Sequence, residues 1–126
     1  MAKRILLVDD DLSDIKAMKN PLKKQGYSVL VATTTKAALS AAEKKDFDLI
    51  LINIMMPDVS GYELAMLLTD IVPSKTKVAF VSILPEREAE KTHVDGYIQK
   101  PFSPETVIRN VKKILTINRK KRGGTR

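Results

Sequence analysis

Apolar and polar positions alternate along this chain in two different rhythms. Arg4–Val8 (R-I-L-L-V) is a short apolar, β-branched run and predicts a strand. Ser13–Gln25 carries Ile15, Met18 and Leu22 with lysines between them, which predicts an amphipathic helix closed by Gly26. Pro21 lies inside that helix and predicts a kink. Ser28–Ala32 predicts a second strand. Thr34 or Thr35 is suited to cap a helix running to Lys45, with Ala38, Leu39 and Ala42 facing inward. Asp48–Asn53 (D-L-I-L-I-N) is almost wholly apolar, as a strand covered on both faces must be. A loop, M-M-P-D-V-S-G, follows it. Tyr62–Ile71 predicts a helix, Val78–Ser82 a fourth strand, Glu86–Thr92 a short polar helix, Gly96–Gln99 a fifth strand and Ser103–Ile117 a last helix.

Five strands alternating with five helices through short connections predict an α/β fold, a doubly wound parallel sheet with helices on both faces. In such sheets ligands bind beyond the carboxyl ends of the strands. The residues placed there are Asp9, Asp10 and Asp11, then Asn53, Ser82 and Lys100. All are polar and all end apolar strands.

Composition narrows the chemistry. The 126 residues suit one domain, and 44% hydrophobic content suffices for a core. There is no cysteine, so disulfides and thiolate metal sites are excluded; the one histidine, His93, cannot build a histidine cluster. No apolar run approaches the roughly 20 residues of a membrane helix, and the start does not read as a signal peptide. A soluble, cytoplasmic protein with no membrane partner is expected.

The net charge of +7 is unevenly spread. All 15 acids lie at or before Glu105, and 8 basic residues follow it, so residues 1–105 carry a net charge of −1. The body, one domain over residues 1–117, is therefore nearly neutral as far as Glu105, and 118–126 is expected to be a basic, disordered tail. Arg119–Arg122 (R-K-K-R) could neutralise several phosphates but brings no aromatic residue for stacking. Nucleic acid or another anionic surface is a partner only through that tail, and this is the alternative functional reading.

Each polar strand end has a bland and a chemical reading. Adjacent carboxylates at Asp9–Asp11 suit a hard cation such as Mg²⁺, but Asp11 or Ser13 could simply cap a helix. Lys100 before Pro101 is a point charge for a phosphate or an ordinary surface lysine, and a cis Lys100–Pro101 bond would fix where it points. Ser82 offers a hydroxyl donor. Glycine-rich phosphate cradles are missing from the sequence, which argues against a nucleotide-binding enzyme.

Taken together, I-L-L-V-D-D-D at Ile5–Asp11, L-I-N-I-M-M-P-D-V-S-G at Leu51–Gly61, V-A-F-V-S at Val78–Ser82 and G-Y-I-Q-K-P-F at Gly96–Phe102 resemble the response-regulator receiver family. The order matches the family's, and the resemblance covers about residues 3–117. It implies a flavodoxin-like receiver fold with strand order 2-1-3-4-5, acting in phosphorelay signalling rather than as an enzyme. It implies that Asp9 and Asp10 hold Mg²⁺ with the Met55 backbone carbonyl. Ser82 and Tyr97 match the switch positions, and Lys100 the lysine that pairs with the phosphoryl group. The implied partners are a sensor histidine kinase or another signalling protein, and a downstream output domain or protein.

Asn53 falls where the family places its phosphorylated aspartate. An amide carries no net charge and forms no stable acyl phosphate. The resemblance therefore implies a phosphorylation-incompetent form with weak or absent Mg²⁺ binding, either a natural pseudo-receiver or an engineered substitution. The stretch between Ser82 and Lys100 is about one helical turn shorter than is usual in the family. Ile83 stands where a small residue is usual, so crowding of the phosphate approach is expected. Output is expected from a face formed by Glu86–Thr92, the last strand and the last helix.

Overall fold

The computed structural model describes residues 2–83 and 94–117. The expected Glu86–Thr92 helix, His93 and the basic tail lie outside the described residues, and so does part of the expected output face. The elements are β1 (Arg4–Val8), α1 (Leu12–Lys24), β2 (Ser28–Ala32), α2 (Thr35–Lys44), β3 (Leu49–Asn53), α3 (Gly61–Ile71), β4 (Lys77–Ser82), β5 (Gly96–Gln99) and α4 (Pro104–Leu115). All strand pairs are parallel, and the sheet order is β2-β1-β3-β4-β5. This is the doubly wound arrangement expected.

Boundaries shift by a residue or two, for local reasons. Asp11, rather than Ser13, caps α1 by accepting the Asp14 N–H, so the helix starts at Leu12. The helix runs unbroken through Pro21, whose carbonyl still accepts from Gln25 N–H at 3.2 Å. Thr34 caps α2. Ser103 caps α4, and Pro104 opens it, where a missing N–H costs nothing. Gly26 takes φ +94°, the left-handed turn that releases the chain into β2.

Strand alternation divides the core. Leu6, Val8, Ile50, Ile52, Val78, Phe80 and Tyr97 face a layer shared with α2 and α3. Ile5, Leu7, Leu49, Leu51, Ala79, Val81 and Ile98 face a layer shared with α1 and α4. The period of two is thus kept through four strands. Continued past the strand ends, it sends Asp9, Asn53 and Lys100 to the α1 side. That parity decides where the site forms.

Candidate functional site

Three of those strand-end residues meet at the carboxyl edge of the sheet. Asp9 is 1% exposed and Asn53 is 7% exposed, unusual burial for such side chains. Their mutual hydrogen bonds make it tolerable. Asn53 Nδ2 donates to Asp9 Oδ1 at 3.3 Å and to the Met55 backbone carbonyl at 3.2 Å. Lys100 Nζ lies 3.4 Å from Asn53 Oδ1, 3.5 Å from Asp9 Oδ2 and 2.7 Å from Asp14 Oδ2. The amide orientation follows from the chemistry of its neighbours. Reversed, its oxygen would face a carboxylate and a carbonyl, and its N–H₂ would face an ammonium.

The surroundings hold this arrangement in place. Asp11 N–H donates to Asp9 Oδ1 at 2.9 Å. Burial pushes the Asp9 carboxyl above its usual range, and the Asp11 N–H and the Lys100 charge oppose that rise. Lys100 N–H donates to the Ser82 carbonyl at 2.8 Å, and the Lys100–Pro101 bond is cis. Tyr97 is packed inward, 8% exposed, with its hydroxyl donating to the Ser82 carbonyl at 3.4 Å. Gly61 N–H donates to Ile54 O at 2.7 Å, folding the loop after β3 back on itself. A Cβ on Gly61 would meet Ile54 Cα at 2.5 Å, so only glycine permits that fold.

A second tie secures the same loop. Asp58 accepts from the backbone N–H groups of Val59 and Thr35, joining the loop to the start of α2. Desolvation alone would raise the Asp58 carboxyl, but hydrogen bonds from Thr35 and from the loop backbone overcome it. The carboxyl is held below the usual range.

A cleft of about 300 Å³ opens at this edge, lined by Asp10, Asp14, Asn53, Ser82, Lys100 and their neighbours Asp11, Met55 and Ile83. The expected residues are thus brought together with differing roles. Asp9 is enclosed, Asp10 is exposed at the rim, and Asp11 serves as a helix cap. Ser82 is 1% exposed. Ile83 is 63% exposed at the cleft mouth, where crowding was expected.

Sequence reasoning missed Asp14. It stands one turn before the buried Met18, on the inward stripe of α1, where an apolar residue would otherwise be expected. That misplaced acid was the available signal.

Receiver domains generally bind Mg²⁺ at this acidic pocket. The donor set here does not fit that ion. A dication needs several free oxygen ligands, whereas Asp9 Oδ1 and the Met55 carbonyl already accept from an N–H₂ group. Asp9 Oδ2 and Asp14 Oδ2 already face an ammonium. Among the described residues no three histidine or carboxylate side chains converge on one point.

The family model described as the response regulator receiver domain matches residues 5–112. PhoP, the alkaline phosphatase synthesis transcriptional regulatory protein of Bacillus subtilis, is 34% identical over 123 residues, covering 91% of this chain and 49% of its own. Response regulator SaeR of Staphylococcus aureus is 27% identical over 118 residues, covering 89% and 50%. The chain thus spans about half the length of the curated relatives it matches. Among solved structures, a CheY-like receiver domain protein from Methanospirillum hungatei superposes with a TM-score of 0.83 at 31% identity, over 91% of this chain and 94% of that one. Chemotaxis regulator CheY4 of Vibrio cholerae gives 0.78 at 25% identity, over 90% and 99%. With four motifs at four strand ends, the sheet order and these likenesses in agreement, the chain belongs to the response regulator receiver domain family.

Proposed function

We propose that this receiver takes part in two-component signalling without accepting phosphate, as a binding module whose state is set by its partners. The observation that carries this reading is the place of Asn53, whose amide bridges Asp9, the Met55 carbonyl and Lys100. A phosphoacceptor must be an anionic nucleophile aligned with its donor. An amide oxygen pointed at Lys100 has the position without the charge. Mg²⁺ binding is correspondingly weak, because one carboxylate fewer faces the ion and its remaining ligands are already occupied.

Without a covalent switch, any shift between conformers comes from a ligand or protein with unequal affinity for them. A sensor histidine kinase, another signalling protein or an output domain fits that role. The relatives PhoP and SaeR, about twice as long as the matched region, support an output partner. The chain is a signalling module, not an enzyme, and acts in the cytoplasm.

The test is intact-mass spectrometry after incubation with Mg²⁺ and acetyl phosphate or phosphoramidate. No adduct is expected on residue 53. A stoichiometric phosphate that maps to Asn53 overturns the reading.

A further inference from the structure

Lys100 reaches past Asn53. Its shortest contact is to Asp14 at 2.7 Å, against 3.4 Å to Asn53 and 3.5 Å to Asp9. Lys100 is 13% exposed and Asp14 33% exposed, so this pair is only partly screened by water. Asp14 belongs to the first turn of α1, and Lys100 follows β5, so the contact joins two elements 86 residues apart. No other described side chain bonds to both Asp9 and Asp14. We propose that Asp14 is a positioning residue, which clasps Lys100 to α1 and competes with position 53 for its ammonium.

The competition follows from geometry and charge. An ammonium has three N–H donors, and here its three acceptors are Asp14, Asn53 and Asp9. Two of these are carboxylates, and charge-assisted hydrogen bonds are shorter and stronger than neutral ones. The neutral amide at residue 53 is thus the weaker claimant. The ammonium settles toward Asp14, and the Asn53 N–H₂ takes up the remaining acceptors. Together they occupy the pocket's acceptors from within. It follows that the pocket departs from an active receiver at two places. Restoring a carboxylate at residue 53 removes one barrier and leaves Lys100 partly held by the other.

This inference rests on residue 53 facing Lys100, and on the functional reading only for its second test. The first test uses the chain with Asn53 in place. Proton exchange of the Lys100 ammonium is followed by ¹⁵N NMR in the parent and in Asp14→Asn. Loss of one charge-assisted hydrogen bond is expected to speed exchange about tenfold. An unchanged rate overturns the clasp. The second test adds Asn53→Asp and measures beryllofluoride affinity at saturating Mg²⁺. Asp14→Asn in that background is expected to raise affinity about tenfold, because Lys100 is freed toward residue 53. Asp11→Asn is the control: it removes an equal charge from the same rim but keeps the helix cap. If Asp14→Asn raises affinity no more than Asp11→Asn does, Asp14 acts only through its charge and the positioning role is overturned. If the Asn53→Asp chain binds neither Mg²⁺ nor beryllofluoride, the reading of residue 53 as the acceptor position fails, and ammonium exchange still decides the role of Asp14. Thermal melts of each variant confirm that all are folded.

Discussion

The middle of the sheet and its carboxyl edge are equally buried and chemically opposite. Leu51 and Phe80, in the middle of β3 and β4, are 0% exposed and wholly apolar. Asp9, just past the end of β1, and Ser82, the last residue of β4, are each 1% exposed and polar. Burial in the middle is favourable by itself, since apolar area leaves water. Burial at the edge is tolerated only because each polar group finds a partner, and removing one partner strands the rest. The two regions therefore respond to different substitutions. The middle answers in stability, and the edge answers in what it binds.

The largest effect is expected in the middle. Phe80 packs edge-to-face on Tyr62, with centroids 5.2 Å apart and planes at 76°. Phe80→Ala is expected to cost about 3–5 kcal/mol in urea denaturation. The folded fraction should keep the pocket's binding behaviour. A change in binding larger than the change in stability would break the separation of the two regions.

Lys100→Met probes the edge. It leaves Asp9 buried beside Asp14 with no cation between them, and a cost of about 2 kcal/mol is expected, discounted for the partial exposure of Asp14. Denaturant titration measures it. A cost below about 0.5 kcal/mol would mean that the edge tolerates an unpaired charge as an exposed surface does.

Asn53→Asp is expected to be smaller and to depend on metal. Without Mg²⁺ the new carboxylate faces Asp9 and the Met55 carbonyl, at a cost of about 1 kcal/mol. With Mg²⁺ the loss is reversed, and affinity should exceed the parent's by about tenfold. Calorimetric titration of both chains at one ionic strength checks this. Equal affinities would mean that residue 53 does not face the ion.

Asp58→Asn should give the smallest change, present near neutral pH and lost in acid. The folded carboxyl lies below the ordinary aspartate value of 3.8. Its contribution is therefore present above pH 3.8 and is lost as pH falls through the folded pKa. The stability difference between parent and variant should be flat near neutral pH and shrink toward zero below that window. A difference that instead grows on acidification contradicts the hydrogen bonds assigned to Asp58.

Much of this was legible from residue order alone. The apolar runs of β1, β3 and β4 could not be solvated, and their lengths excluded long helices. The motifs around Asp9, Asn53, Ser82 and Lys100 marked one edge of the sheet. What the runs could not convey was division of labour. Asp9, Asp10 and Asp11 look alike in sequence. Yet strand parity encloses the first, leaves the second at the rim and makes the third a cap. Asp14 went unnoticed because its partner is 86 residues away. Helix periodicity shows that it faces inward but not which strand end it meets. Boundaries moved where caps decided them, as at Leu12 and Pro104.

Gly61 carries a consequence for how this pocket tolerates mutational drift. Its missing side chain leaves a gap smaller than one methyl group beside Ile54 Cα and Asn53 O. Any of the nineteen other residues must push on the backbone that carries Asn53. An uncharged position eight residues from Asn53 thus works as a veto on the electrostatics of the cleft. Variation at residue 61 should be far rarer than at Asp10, although Asp10 carries the charge and Gly61 carries none.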